Sequence, residues 1–174
     1  MGKEALIIID MLNDFVREGA PLEVPATRDI LPNIAREIER ARSSGNPVIY
    51  VCDTHAPGDR EFVKFGWPAH GVRGSEGYRI VKELEPSEGD IIVEKTTYSS
   101  FYNTRLDELI GALGIDSVRL TGCVTHICIL FTAYEASLRD LKVAVVGDGI
   151  AGLAKEDHDA ALRIMKNVLG VNIV

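Results

Sequence analysis

The 174-residue sequence predicts a three-layer α/β/α sandwich built on a mostly parallel six-stranded sheet. The first observation is the regular alternation of strand-like and helix-like segments, which is typical of βαβ units. The second is that the strand-like segments are rich in Ile and Val with little polar alternation, as expected for strands covered on both faces. The third is a glycine at the expected end of several helices.

The predicted elements follow one another without a repeat or a linker, so we expect one domain over residues 1–174. The predicted strands span residues 4–9, 47–52, 90–94, 117–122, 142–147 and 171–174. The long helices have apolar residues at helical spacing and span residues 27–44, 104–113, 125–138 and 155–169. The glycines expected at helix C-caps are Gly45, Gly114 and Gly170.

Composition and charge exclude several classes of function. A net charge of -7 offers no basic patch to neutralise phosphates, so we expect neither a nucleic-acid nor an anionic-membrane partner. No apolar stretch approaches the ~20 residues of a membrane span, and the N-terminus leads directly into a strand rather than a signal peptide. Three cysteines without framework spacing favour reduced thiols and a cytoplasmic protein.

A long segment between residues 53 and 77 interrupts the rhythm of strands and helices. It contains two prolines and five glycines, and it starts where a predicted strand ends. Compact domains rarely carry so long a loop unless it serves a function. We therefore expect this loop to form part of the functional site.

Three reactive side chains follow predicted strands at their carboxyl ends: Asp10, Lys95 and Cys128. Ligands of open parallel sheets bind outside this edge, so the three side chains suggest one site. Thr125 is expected to be a helix N-cap. Cys128 would then lie in the first turn, where the helix dipole and Lys95 would lower its thiol pKa. Asp10 could accept the thiol proton, as acyl transfer requires.

Structural interpretations of the same residues remain open at this point. A cysteine at a helix start more often packs than reacts, and Cys52 and Cys123, inside strands, are interpreted as packing residues. Asp10 could cap a loop and Lys95 could be a surface charge. Two histidines are also assigned to structure: His126 and His158.

Asp53, His55 and His70 form a candidate metal site. Asp53 and His55 are two residues apart, so both side chains point the same way if the backbone is extended, and His70 comes from the far end of the loop. Two imidazoles and one carboxylate suit Zn²⁺, Fe²⁺ or Mn²⁺, with Zn²⁺ the first choice. Glu61 is a further candidate ligand, directly or through water. The alternative is that Asp53 and His55 shape a turn and His70 is solvated.

The order and spacing of several short motifs resemble the cysteine hydrolases of the isochorismatase-like superfamily, and within it the nicotinamidases, also called pyrazinamidases. The resemblance spans essentially the whole chain and implies the isochorismatase-like hydrolase fold. The motifs that carry it are Ile9-Asp10-Met11-Leu12-Asn13-Asp14-Phe15, Asp53-Thr54-His55, the run from Trp67 to Gly77, Glu94-Lys95-Thr96-Thr97-Tyr98-Ser99-Ser100-Phe101, and Gly122-Cys123-Val124-Thr125-His126-Ile127-Cys128.

The resemblance implies a role for each residue of the site. Cys128 would be the nucleophile, with Asp10 and Lys95 completing a triad. A cis peptide at Cys123–Val124 and the backbone N–H groups of Val124 and Cys128 would form an oxyanion hole. The metal ligands carried over are Asp53, His55 and His70, and the aromatic walls of the substrate site are Phe15, Trp67 and Tyr98.

The activity implied is hydrolysis of nicotinamide to nicotinate and ammonia, a step of NAD salvage. The substrate would be a small pyridine carboxamide, and a homo-oligomer is expected. Two alternatives remain: a related cysteine amidohydrolase acting on a ureido or carbamoyl compound, or a catalytically silent metal-binding module. Superfamily members acting on ureido or carbamoyl amides lack the Asp-x-His pair with a later His.

Overall fold

The structure, a computed structural model, describes residues 2–174. Its strands, numbered β1 to β6 in chain order, are Lys3–Ile9, Val48–Asp53, Ile91–Lys95, Ile115–Cys123, Lys142–Ala151 and Asn172–Ile173. Its α-helices, α1 to α6, are Asn13–Val16, Thr27–Ser43, Arg60–Phe65, Leu106–Leu113, Leu130–Ser137 and Lys155–Asn167. A 3₁₀ turn covers Lys82–Leu84, and a π-helical turn covers Thr125–Ile129.

Within residues 2–174 the six strands form one sheet in the order β3-β2-β1-β4-β5-β6, and every neighbouring pair is parallel. The predicted α/β/α sandwich is therefore confirmed, with a fully parallel sheet. β2 and β3 follow one another on one side of β1, whereas β4, β5 and β6 follow one another on its other side. The point where the order reverses lies between β1 and β4, and ligands of such sheets bind at this point.

Helices cover both faces of the sheet because successive strand side chains point in opposite directions. From β1, Ile7 and Ile9 pack with α4, α5 and α6, whereas Leu6 and Ile8 pack with α1 and α2. All four isoleucine and leucine side chains are buried. This explains why the strands read as unbroken apolar runs.

Tertiary pairing extends some elements beyond their sequence signal. β5 continues past the predicted end at residue 147 to Ala151, because Ile150 and Ala151 pair with the end of β4 after a register shift. Gly122 makes this end of the sheet possible. Its φ is +111°, and a Cβ there would lie 2.0 Å from the Ile9 carbonyl oxygen.

Among the described helices, none combines the length and the apolar character needed to cross a membrane.

Candidate active site and metal centre

The candidate site is assembled at the carboxyl ends of the four strands β1 to β4. Asp10 directly follows β1 with a positive φ of 54°, a conformation that aspartate tolerates better than most residues. Asp53 ends β2 and lies opposite Lys95, the last residue of β3. Cys128 lies in the π-helical turn that follows β4. The predicted residues Asp10, Lys95 and Cys128 are thus brought to one place.

Lys95 is the hub of this cluster. Its Nζ lies 2.8 Å from Asp10 Oδ2, 3.2 Å from Asp53 Oδ1 and 3.6 Å from Cys128 Sγ. The Lys95 side chain is fully buried. Burial opposes a charged lysine, but the two carboxylates outweigh it and hold the pKa of Lys95 well above its usual range. Lys95 is therefore a buried lysine whose charged form is favoured, and the interpretation of it as a surface charge is wrong.

Burial also governs the protonation of Cys128. It raises the pKa of the thiol well above its usual range, and the opposing effect of Lys95 is too small to reverse this. The expected lowering of the thiol pKa is therefore wrong for the resting site. Burial raises the pKa of Asp10 as well, even though Lys95 lowers it. Asp10 and Cys128 thus both contact Lys95 Nζ, and burial raises the proton affinity of each.

The turn that carries Cys128 differs from the predicted start of a capped α-helix. It is π-helical, with Val124 at its N-cap position and no side-chain cap, so the assignment of Thr125 as N-cap is wrong. Instead, the Thr125 hydroxyl lies 2.9 Å from His158 Nδ1, which ties this turn to α6. The Cys123–Val124 peptide bond is cis.

Asp53, His55 and His70 present their ligand atoms within 4.8 Å of one another, and all three residues are buried. The Nε2 atoms of His55 and His70 lie 3.3 and 3.1 Å from the two carboxylate oxygens of Asp53. Their Nδ1 atoms face acceptors on the outside, Asp59 Oδ2 at 3.2 Å and the Pro68 carbonyl at 2.7 Å. Outer acceptors of this kind orient imidazoles that bind a metal through the other nitrogen.

Poorly satisfied polar atoms in this cluster test whether a metal fits. Asp53 Oδ1 lies near Lys95 Nζ and His55 Nε2, at 3.2 and 3.3 Å, but makes no hydrogen bond of good geometry, and the buried Glu61 Oε1 has no hydrogen-bond partner. Such atoms are costly unless something else satisfies them. A divalent ion would do so, and the nitrogen and oxygen donors suit Zn²⁺, Fe²⁺ or Mn²⁺. Glu61 lies outside the 4.8 Å group, so it is a candidate only for a longer or water-mediated contact.

A narrow pocket connects the cysteine to the metal cluster. The three aromatic residues expected as substrate walls all line it: Phe15, Trp67 and Tyr98. Trp67 Nε1 donates a hydrogen bond of 3.0 Å to the Tyr98 hydroxyl. The cavity volume is about 40 Å³, enough for only a few water molecules.

The structure adds residues to the site that the sequence did not indicate. Tyr98 is stacked between Phe65 and Phe131, with ring centroids 4.9 and 5.8 Å away. Phe62 packs against both histidines of the metal cluster. These aromatic contacts join residues from α3, α5 and a loop, which are distant in sequence, so the spacing of residues along the chain could not predict them. The apolar side of the pocket adds four residues: Leu22, Val24, Ile127 and Leu153.

Comparison with known proteins relates the chain to one group of hydrolases. Residues 4–173 match the Isochorismatase domain. The crystal structure of a pyrazinamidase from Pyrococcus horikoshii in complex with zinc superposes with a TM-score of 0.92 at 30% sequence identity. That match covers 99% of this chain and 98% of the other.

Two relatives by sequence carry different names. A probable inactive nicotinamidase of Arabidopsis thaliana is 33% identical, and the match covers 94% of this chain and 88% of the relative. A ureidoacrylate amidohydrolase of Yersinia enterocolitica is also 33% identical, with 78% of this chain and 67% of the relative covered. These matches show that the chain belongs to one family, whose members are named for different substrates.

Proposed function

Because the chain belongs to the isochorismatase family of hydrolases, we propose that it hydrolyses nicotinamide to nicotinate and ammonia. This reaction would feed nicotinate into NAD salvage. One observation carries the proposal: the buried Asp10–Lys95–Cys128 cluster and the Asp53–His55–His70 cluster meet at one aromatic-walled pocket, which Cys128, Asp53 and His70 line. A thiol can attack the amide carbon of a pyridine carboxamide, and a metal ion can bind its ring nitrogen.

In the acylation half of the reaction, Asp10 takes the proton of Cys128 as the sulfur attacks the amide carbon. A C–S bond forms, and the carbonyl oxygen becomes an oxyanion held by the backbone N–H groups of Val124 and Cys128. Collapse of this intermediate breaks the C–N bond. Asp10 returns its proton to the leaving nitrogen, which departs as ammonia and leaves a thioester on Cys128.

In the deacylation half, Asp10 takes a proton from water, and the resulting hydroxide attacks the thioester carbon. The C–S bond breaks, Asp10 returns its proton to the Cys128 sulfur, and the product leaves as nicotinic acid, which ionises to nicotinate and gives its proton to the released ammonia. Lys95 keeps its charge throughout. Its contacts with Asp10 and Cys128 stabilise whichever of the two carries the negative charge.

Asp53, His55 and His70 would hold one divalent ion, with Zn²⁺ the first choice and Glu61 a candidate for an additional contact. When bound, the ion supplies a Lewis-acid site for the pyridine nitrogen, which turns the carboxamide toward Cys128. Phe15, Trp67 and Tyr98 would sandwich the ring. We propose the same residues as the specificity pocket.

The pocket lining contains no basic side chain for a carboxylate-bearing amide. Its acidic lining residues are Asp53 and Glu61, and no lysine or arginine of the described chain lines it. The carboxylate of ureidoacrylate would therefore compete for the bound metal ion, whereas uncharged nicotinamide needs no second cation. This supports nicotinamide rather than the substrate named for the Yersinia relative.

The test is ammonia release by the purified, zinc-loaded protein from nicotinamide and, in parallel, from ureidoacrylate. We expect turnover of nicotinamide only, complete loss in Cys128→Ala, and a large reduction after chelation. Cys52→Ala is the matched control, because this thiol is also buried but lies outside the pocket. Turnover of ureidoacrylate alone, or full activity in a folded Cys128→Ala variant, would contradict the proposal.

The Arabidopsis relative is named as a probable inactive nicotinamidase, so a second candidate function is a catalytically silent metal-binding module. In that case the folded, metal-loaded protein would release no ammonia from nicotinamide, pyrazinamide, ureido or carbamoyl amides. The buried Lys95 and its two carboxylates speak against it, since a protein without catalysis has little reason to maintain three charges in its interior.

A further inference from the structure

Asp59, which the catalytic scheme does not use, makes two contacts with its two carboxylate oxygens. At the N-cap of α3, its Oδ1 accepts a hydrogen bond of 2.9 Å from the Glu61 backbone N–H. Its Oδ2 lies 3.2 Å from Nδ1 of His55. The same side chain therefore starts a helix and contacts a candidate metal ligand.

The second contact fixes the chemistry of His55. A carboxylate can only accept, so Nδ1 of His55 donates its hydrogen to Asp59, and a bound metal ion would take the place of the hydrogen on Nε2. That nitrogen points at the Asp53 carboxylate, 3.3 Å away, inside the metal cluster. The His55 side chain is only 1% exposed, and Asp59 reaches its Nδ1 from the partly exposed side, with 20% of its own side chain exposed.

His70 has a different acceptor at its outer nitrogen. Its Nδ1 faces the Pro68 carbonyl at 2.7 Å, a backbone acceptor two residues away. Asp59 is therefore the side chain that supplies the outer acceptor of a cluster histidine, where His70 uses the backbone. Because it also holds the first turn of α3, it couples the metal cluster to the segment that carries Glu61 and Phe62.

We propose that Asp59 is a positioning residue for the metal site, holding His55 with Nε2 free to bind a divalent ion. The inference rests on the metal site of the proposed function. Loss of an outer partner of this kind weakens metal binding by about 10- to 100-fold.

The experiment separates the two contacts of Asp59 with two variants of the full-length protein. Asp59→Ser keeps a hydroxyl that caps helices well but is too short to reach His55, whereas Asp59→Ala loses both contacts. Asp107→Ser is the matched control, because Asp107 is also an aspartate in the first turn of a helix and pairs with a cation, Arg139, on the surface.

Zinc affinity is measured by competition with a chromophoric chelator, the visible spectrum of the cobalt-substituted protein reports ligand geometry, and thermal unfolding of the metal-free protein reports the cap. We expect zinc to bind about 10- to 100-fold more weakly in both Asp59 variants, with an altered cobalt spectrum. The Tm of the metal-free protein should fall only in Asp59→Ala, and Asp107→Ser should match the wild type throughout.

Wild-type zinc affinity in Asp59→Ser would overturn the proposal, and a loss seen only in Asp59→Ala would do the same, since it would assign the effect to the cap. A wild-type protein that binds no divalent ion would overturn both this inference and the proposed metal site. If zinc binding depends on Asp59 but nicotinamide is not hydrolysed, the positioning role stands and only the proposed substrate fails.

Discussion

Lys95 Nζ lies 2.8 Å from Asp10 Oδ2, although the strands that carry these residues are not neighbours in the sheet. β2 lies between them, and the lysine side chain spans its end, where it also meets Asp53 at 3.2 Å. One ammonium thus serves the carboxylate proposed as the catalytic base and the carboxylate proposed as a metal ligand. The two clusters of the site share this charge.

Removal of the Lys95 charge should therefore destabilise the fold as well as the reaction. Lys95→Met leaves two buried carboxylates without a cation, and breaking a buried pair in this way costs about 3–5 kcal/mol. Urea unfolding of the metal-free protein measures the loss. In the double variant Lys95→Met/Asp10→Asn one of the unpaired charges is gone, so part of the stability should return while activity stays absent. Equal stability of Lys95→Met and the wild type would contradict the charge balance inferred here.

The reactivity of Cys128 toward a small neutral alkylating reagent should rise steeply with pH. Burial raises the pKa of this thiol, so at neutral pH the thiolate fraction is small. The alkylation rate should then increase about tenfold per pH unit between pH 7 and pH 9. Mass spectrometry after iodoacetamide treatment measures it, and Cys128→Ala gives the background from the other cysteines. A rate that is already constant from pH 6 upward would mean that Lys95 maintains a thiolate against burial.

Tyr98→Phe should weaken substrate binding more than turnover. The substitution removes the 3.0 Å hydrogen bond to Trp67 and loosens one wall of the pocket while keeping the ring. A lost hydrogen bond of this kind corresponds to about a 2- to 10-fold increase in KM, with kcat nearly unchanged. Steady-state kinetics with nicotinamide measures both constants. Tyr102→Phe is the control, since this tyrosine is 59% exposed on the surface. A fall in kcat alone would instead place Tyr98 in the chemical steps.

Glu37 should contribute stability that disappears in acid. Burial raises its pKa, but hydrogen bonds from Arg119 and Arg40, at 3.0 and 2.9 Å, outweigh this and hold the pKa below its usual range. Because the folded-state pKa is depressed, the contribution is complete above the unfolded pKa of about 4.3 and is lost as the pH falls through the folded-state pKa.

Glu37→Gln should therefore be less stable than the wild type by about 1–2 kcal/mol at pH 7. The difference should shrink toward pH 3. Urea unfolding at the two pH values measures it. Glu76→Gln is the matched control, because the Glu76 side chain is 82% exposed and its ion pair with Arg79 should count for little. A difference that persists unchanged at pH 3 would exclude the charge of Glu37 as its cause.

Much of the architecture follows from local sequence signals. Apolar runs such as Ala5–Ile9, with helical periodicity between them, require strands covered on both faces, and the confirmed sandwich is the arrangement that covers them. Since parallel strands end at a common edge, the sequence predicts that Asp10, Lys95 and Cys128 share one site. Their catalytic roles remain predictions.

The proton affinities and hydrogen-bond partners of the site residues depend on the groups packed around them, so only the tertiary structure determined them. Spacing along the chain could place Cys128 in a helical turn, but the turn is π-helical and burial raises the thiol pKa, because desolvation is set by segments distant in sequence. Likewise, Asp59 carried no signal beyond its position four residues after His55, and only folding brings its carboxylate to the ring nitrogen. Periodicity is local, whereas the proton affinities and tautomers of a site are determined by all the groups that the fold packs around it.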